Sequence, residues 1–527
     1  MRKLFVITAL LLNSGVAALA YFVSWNAAWA WVALGPLTLV GVVDMLQTKH
    51  AIRRNFPVIG HGRYFFEAIR PEIYQYFIES NTDGKPFHRE ARSMVYQRAK
   101  GQLDTLPFGT QLDVYAEGYE WINHSIAPKP MPEHPPRVII GENTCKQPYA
   151  ASLFNISAMS YGSLSRVAVS ALNRGAAAGD FAHNTGEGGI SPYHLEGGDL
   201  IWQLGTGYFG ARAKDGTFDS GKFKENAGRE SVKMIEVKIS QGAKPGHGGI
   251  LPAGKVTPEI ARIRGVPMGK DVLSPPSHSA FSTPVGLLEF VTELRELSGG
   301  KPVGFKLCIG KRREFLAICK AMVKTGMHPD FIAIDGAEGG TGAAPLEFSN
   351  TLGCPLTEGL IFAHNALQGV GMRENVRLMA SGKITSGFDM ARAIALGADL
   401  CYSARAMMLA LGCIQARKCN DNHCPTGVAT QKPSLYVGLV PSDKAHRVAR
   451  YHHETVHSLL ELVAAAGLES HTGLRPWHIM RRTSPTEIRH YGDLYEYMEA
   501  GELLADPIPP SYARAWQHAS PETFEHV

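Results

Sequence analysis

Eight short apolar runs, each closed by glycine or a polar residue, recur from about residue 150 onward and constrain this chain more than any other feature. They are "SLFNISAMS", "FAHNTG", "LIWQLG", "MIEVKIS", "PVGFKL", "FIAIDG", "RLMASG" and "DLCYSA", and helical stretches separate them. Short apolar runs bounded by turn residues are the signature of strands buried on both faces. Eight strand–helix units in roughly 260 residues fit a (β/α)8 TIM barrel, in which the loops after each strand carry the chemistry. A doubly wound sheet is the competing architecture; the count of eight, with polar residues at nearly every strand end, favours the barrel.

The first fifty residues are of another kind. "LFVITALLLNSGVAALAYFVSW" (residues 4–25) and "AAWAWVALGPLTLVGVV" (residues 27–43) are uncharged apolar runs, the first of full spanning length and the second just long enough. A secretory signal is the rival for the first run, since "MRK" makes a fair basic start. A second span follows at once, however, which favours an uncleaved two-helix transmembrane hairpin. Arg2 and Lys3 precede it and Lys49, Arg53 and Arg54 follow it, so the positive-inside bias puts both ends in the cytoplasm. The expected location is the inner (cytoplasmic) membrane, with the bulk of the chain on the cytoplasmic side. A net charge of +5 over 527 residues, with no basic-aromatic stripe, gives no reason to expect a nucleic-acid partner.

"GCIQARKCNDNHCPTGVATQ" (residues 412–431) gathers Cys413, Cys419 and Cys424, while the other five of the eight cysteines are scattered. Three thiols cannot pair off. In a reducing compartment they read as metal or cluster ligands, or as buried core residues, rather than disulfides. Zinc prefers paired C-x2–4-C knuckles, and His423 directly before Cys424 is an awkward pair for one ion.

Two glycine loops follow late strands: "IDGAEGGTGAAP" (residues 334–345) and the loop within "ASGKITSGFDMARAIALGADLCYSARA" (residues 380–406). In (β/α)8 barrels the late loops form the phosphate site, where backbone N–H groups face the anion. Gly339, Gly340, Thr341, Gly382 and Lys383 suit that role; merely tight loops are the plain alternative. Strand alternation points Lys306 of "VGFKL" into the barrel mouth. A buried lysine needs a partner, and a flavin pyrimidine edge or the carboxylate of Asp335 would serve. "GTGYFG" (residues 205–210) matches a dinucleotide fingerprint, but "ARAKDGTFDSGKF" after it is turn-rich where a helix is required.

Taken together, "AMSYGSLS" (158–165), "NTGEGG" (184–189), "QGAKPGHGGILPAGKV" (241–256), "SPPSH" (274–278), "DGAEGGTGAAP" (335–345) and the cysteine stretch resemble the FMN-binding synthase domain of glutamate synthase. The likeness runs colinearly over roughly residues 137–435. More narrowly, the chain is similar to the stand-alone, membrane-anchored members of that family. The resemblance implies FMN at the barrel mouth, held by Met159, Ser160, Lys306, Gly339, Gly340, Thr341, Gly382 and Lys383. It also implies a 3Fe–4S cluster on Cys413, Cys419 and Cys424. Lys244 and Arg264 match two of the three residues that grip 2-oxoglutarate in the family. Ile250 stands where the third, a glutamine, is expected, and His247 replaces the usual glutamate. Glu187 matches an acidic residue near the flavin and is the candidate for proton transfer or imine orientation, with Lys306 the other candidate catalytic group.

The expected activity is reduction of the imine of a 2-oxoglutarate-like oxo acid to an amino acid. Electrons would pass from a ferredoxin-like donor or a reductase subunit through 3Fe–4S to FMN. The chain has no cysteine before Cys145 and starts Met1–Arg2, so the amidotransferase route to ammonia is not expected, and ammonia or an amine would come from solution or another protein. The rivals are an N-substituted-glutamate synthase or dehydrogenase, and a non-catalytic membrane-anchored electron-transfer flavoprotein. The expected division is a transmembrane hairpin (1–50), a lead-in packing on the barrel (51–136), the FMN-binding barrel with its cysteine loop (137–435) and a C-terminal helical segment and tail (436–527).

Overall fold

A computed structural model describes residues 1–525. The chain forms two compact units, Met1–Arg89 and the remainder from Glu90. The boundary falls inside the 51–136 lead-in, so residues 51–89 fold with the apolar helices that precede them.

The first unit opens with helix Arg2–Phe22, a 3-10 turn Trp25–Ala30 and helix Trp31–Leu46. Both helical segments are long and apolar enough to cross a membrane. Two of their polar side chains bond across and within the pair: Asn13 donates to Ala9 O and to Thr38 Oγ1, and Thr38 donates to Leu34 O. Helices Ala51–Asn55 and Gly60–Ile73 follow, the latter running into a wider turn, Tyr74–Ile78.

In the second unit the eight apolar runs each yield one strand: β1 (Phe154–Ile156), β2 (His183–Asn184), β3 (Leu200–Leu204), β4 (Val232–Lys238), β5 (Val303–Leu307), β6 (Phe331–Asp335), β7 (Arg377–Ser381) and β8 (Leu400–Ser403). All pair in parallel, and β8 returns to β1 through Cys401 opposite Phe154, closing the barrel. This is the (β/α)8 barrel; the doubly wound alternative is excluded by that closure. Helices such as Pro284–Leu297, Arg312–Thr325 and Leu356–Gly369 cover the outside.

A hairpin, Arg137–Ile140 with Tyr149–Ser152, plugs the end where the strands begin. Its Ile140, Tyr149 and Ala151 pack with Ile201, Met234, Phe331, Met379 and Leu400 inside the barrel. That plug leaves only the strand C-terminal ends open for chemistry. The long helix Pro441–Ala465 packs against Arg166–Gly179, where a Cβ at Gly175 would be 2.8 Å from Val448. The proline-dense stretch lies on the end of that long helix, through Ser125 N and Lys129 N to the carbonyls of Ala465 and Ala464. The tail is ordered: Glu120–Ile122 pairs with Ile479–Arg482, which pairs with Ile488–His490. The "GTGYFG" stretch forms tight turns after β3, and the next helix begins only at Ser220.

Candidate active site at the barrel mouth

Strand pairing sets Lys238 at the end of β4 in register with Lys306 on β5. Both side chains are buried, and neighbouring like charges repel, so each needs its own counter-ion. Lys238 Nζ donates to Glu187 Oε1 at 2.7 Å. Lys306 Nζ lies 4.0 Å from Asp335 Oδ2, the limit of an ion pair and beyond hydrogen-bond length, so its protons remain available to a ligand. Asp335 is itself fixed by Ser381 Oγ at 2.7 Å and by the backbone N–H of Gly242 at 2.9 Å. The second bond pins the loop that carries Lys244. Only glycine suits position 242, because a Cβ there would overlap the carbonyl of Gly336.

Glu187 fits where two other glycines leave space: a Cβ at Gly205 would be 2.5 Å, and one at Gly249 2.6 Å, from its carboxylate oxygens. Burial opposes ionisation of Glu187, but Lys238, Lys244 and Arg264 outweigh it and hold the carboxyl below its ordinary pKa. Lys244 is buried, and desolvation with repulsion from Lys238 brings its pKa down to about 8, Glu187 opposing. Arg264 is also buried and is brought down to about 10 by desolvation, again with Glu187 opposing.

The sequence "TPEIARIRG" explains how Arg264 arrives there. Thr257 caps the helix Pro258–Arg264 by accepting from Ile260 N, Pro258 occupies its first position, and Gly265 closes it at φ 64°. Arg264 Nη2 donates to Tyr161 O at 3.0 Å, the guanidinium lies over Phe209, and Nε is buried without an acceptor. Neither Lys244 nor Arg264 forms an ion pair among the described residues. Three cations therefore surround one carboxylate, an excess of buried positive charge that a doubly negative ligand would neutralise.

Ile250, half-buried, pairs with Leu273 in a two-residue strand directly after Gly249, so an apolar side chain follows the peptide that borders Glu187. His247 points its Nδ1 to Gly248 O. His278 of "SPPSH" braces β4: Nε2 donates to Lys238 O at 2.9 Å and Nδ1 accepts from Tyr208 Oη at 3.0 Å. Burial pushes its pKa down to about 4, so the ring is neutral. Deeper in the barrel, Asn184 and Gln203 both donate to Glu236 Oε1.

Met159 and Ser160 leave the end of β1 buried, with Met159 N bonded to Asn184 O and Ser160 Oγ 3.0 Å from Ser163 Oγ. Gly339 and Thr341 are half-buried and Gly340 exposed beyond β6, while Gly382 and Lys383 follow β7, Lys383 at φ 53°. Arg405, just after β8, lies against the first of these loops: a Cβ at Gly340 would be 2.8 Å from its Nε. Its hydrogen-bond acceptor is the thioether of Met408 at 3.2 Å, and no carboxylate pairs with it among the described residues. A half-buried guanidinium beside the first glycine loop, with the uncommitted ammonium of Lys306 also at the mouth, fits a flavin nucleotide with an anionic end. Lys238, Glu236 and Arg405 are the groups that the sequence reading passes over.

Cys413, Cys419 and Cys424 converge near one another. Burial pushes the Cys413 thiol up to about 11, and the neighbouring Cys419 and Cys424 add to that while Arg405 opposes it. Gln415, Arg417 and Asn422 all hold positive φ in the loop between them. Asn422 ties the loop down by donating to Gly254 O and accepting from Gln431 N. Lys255 Nζ bridges Ser163 O and Ala429 O, and Gln431 donates to Gly162 O and Leu164 O. The cysteine loop is thus stitched to the segment that carries Met159 and Ser160. Among the described residues no three of His, Cys, Asp and Glu are close enough to share a single ion.

The conserved region in glutamate synthase matches residues 117–469. The glutamate synthase large subunit-like protein YerD of Bacillus subtilis (strain 168) is 38% identical over 495 residues, covering 86% of this chain and 94% of YerD. The archaeal-type glutamate synthase (NADPH) of Thermotoga neapolitana is 36% identical over 321 residues, 60% of each chain, so this chain spans about three fifths of that relative. Among solved structures, a mutant flavocytochrome b2 with pyruvate bound aligns at TM-score 0.41 and 13% identity, covering 82% of this chain and 91% of that one.

Proposed function

The chain belongs to the glutamate synthase family, and on that premise we propose that it is a membrane-anchored flavin oxidoreductase acting on a dicarboxylic, 2-oxoglutarate-like oxo acid. The reaction is reduction of the imine formed with ammonia or an amine, giving an amino acid. The observation that carries this reading is the excess of buried cations: Lys238, Lys244 and Arg264 around Glu187. FMN, when bound, would supply hydride, and a 3Fe–4S cluster on Cys413, Cys419 and Cys424 would admit single electrons from a ferredoxin-like donor or a reductase subunit.

Lys244 and Arg264 bind the two carboxylates and so fix the position of the imine carbon, where orientation contributes much of the rate. Glu187, kept ionised by Lys238, accepts the imine N–H and holds the nitrogen in its protonated, electrophilic form. Lys306 would offer its ammonium to the pyrimidine edge of FMN when that cofactor is bound. Met159, Ser160, Gly339, Gly340, Thr341, Gly382, Lys383 and Arg405 line the rest of the cofactor site, with Arg405 toward the phosphate. The N-terminal helices attach the chain to the cytoplasmic membrane, with the barrel on the cytoplasmic side.

Ile250 favours a second reading within the same chemistry. An apolar side chain, where the family's glutamine would donate, leaves room for an N-alkyl group beside Glu187 and suits an N-substituted glutamate. Anaerobic purification, with visible and electron paramagnetic resonance spectra, comes first. Reoxidation of the reduced flavin is then followed against 2-oxoglutarate with ammonium or with alkylamines. Turnover with ammonium supports the first reading and turnover with alkylamine alone the second. A chain that holds no flavin, or whose flavin ignores every oxo acid, overturns both.

A further inference from the structure

We propose that the N-terminal unit carries a site for one anionic phospholipid, with an acyl chain in the groove between its two long helices and the phosphate on Arg53 and Arg54. The inference rests on the membrane attachment proposed above and is independent of the barrel's chemistry. The groove has a volume of about 260 Å³ and is bounded by Leu4, Thr8, Leu12, Leu34 and Leu37, with Phe56–Ile59 closing one end. That closing loop is held in a costly shape. Val58, a β-branched residue, sits at φ 64° in the left-handed region. Its N–H is fixed by Asp44 Oδ2 at 2.9 Å, and the same buried carboxylate, 3% exposed, accepts from His61 Nε2 at 2.8 Å.

The headgroup end adjoins this loop. Phe56 N bonds Ile52 O, and a Cβ at Gly60 would be 2.9 Å from Arg53 Cα. Arg53 stacks over Tyr64 at 4.5 Å with its Nε buried and unpartnered. Lys49, Arg53, Arg54 and Arg63 are met by no carboxylate anywhere from residue 45 to residue 66. Such a cationic belt immediately after a span attracts anionic headgroups. Beyond it Phe65, Phe66 and Phe77 are exposed, Phe77 by 85%, as expected of a segment lying in the membrane interface. An apolar groove and an unneutralised belt at its mouth together match a phosphate-bearing diacyl lipid, whereas a neutral isoprenoid would use only the groove.

The test takes the full chain through alkaline carbonate extraction, then reconstitutes it in nanodiscs of phosphatidylcholine with or without phosphatidylglycerol. Retained lipid is read by native mass spectrometry and thermal stability by circular dichroism. The expected result is a chain that stays in the membrane and retains one phosphatidylglycerol. Its preference over phosphatidylcholine should be roughly thirtyfold, from about 1 kcal/mol per arginine. Arg53→Gln with Arg54→Gln should abolish the preference while circular dichroism still shows a folded chain, and Ala9→Phe, on the groove wall, should block retention with the charges intact. Release by carbonate overturns the membrane reading and this proposal with it. A chain that stays membrane-bound but retains phosphatidylcholine or a neutral isoprenoid equally well, or whose double variant keeps the preference, overturns the lipid site alone.

Discussion

Lys244 titrates where cells live. Its pKa of about 8 results from burial and from Lys238, only partly opposed by Glu187. A dicarboxylate needs the protonated ammonium, so affinity should fall as pH rises through about 8, and Lys244→Arg should remove that fall while retaining binding. Titrating the flavin spectrum with 2-oxoglutarate across pH reads this, and a pH-independent affinity in the native chain would sink it. For stability the sign runs the other way. The folded pKa lies below the ordinary lysine value of about 10.4, so between the two the unfolded chain binds more protons and this group favours the fold as pH rises. Arg405 provides a separate residue-level test. If it holds a cofactor phosphate, Arg405→Ala should weaken FMN about tenfold to a hundredfold, as losing a charged contact of about 1.5–3 kcal/mol implies. Riboflavin, lacking the phosphate, should be unaffected; equal loss for both flavins would show that Arg405 only supports the loop. Much of this chemistry was legible in the sequence and part was hidden. Alternation points Lys306 inward, and the same alternation in "MIEVKIS" points Glu236 and Lys238 inward, yet a run weighed by its apolar members conceals them. The register of Lys238 with Lys306 was not legible at all, because barrel closure rather than local pattern sets it.

Single elements differ in how openly the sequence declares them. The eight strands coincide with the eight apolar runs because parallel strands buried on both faces must be apolar throughout. Less visible was the plugging hairpin Arg137–Ile140 with Tyr149–Ser152, whose strands have no partner in the barrel ladder and whose role appears only once Tyr149 enters the interior. The tail was likewise unreadable, since its strand Ile479–Arg482 finds its partner in Glu120–Ile122, more than three hundred residues earlier. The cysteine loop was evident from composition, whereas its stitching by Asn422, Lys255 and Gln431 was not. That stitching shapes the expected behaviour of Cys419→Ser. Because other residues fix the loop, the variant should fold, keep FMN and lose both the 3Fe–4S paramagnetic signal and donor-driven activity. A full cluster signal in Cys419→Ser would refute the ligand assignment. Loss of flavin along with the cluster would instead point to a loop that the bound cluster itself holds in shape.

At the scale of the whole chain, the two units present different surfaces. The barrel hides its apolar side chains, whereas the N-terminal helices display theirs: Leu11 is 68% and Leu39 65% exposed. In water such a surface is an aggregation hazard, while in a bilayer it is the required exterior. The two cases predict opposite signs for one experiment. Leu11→Arg combined with Leu39→Arg sets a charge in each span, at a cost of about 2.5–3.5 kcal/mol each if the side chains face lipid at mid-helix. The membrane-bound fraction after carbonate extraction should then drop sharply, and whatever remains folded should be found in the supernatant or degraded. If the helices instead form a water-exposed hairpin, two arginines on their outer faces would relieve an apolar patch, and yield and solubility of the already soluble chain would rise. The barrel provides the internal control, since its flavin absorbance and its melt should be the same in native and doubly substituted chains when each is kept in detergent.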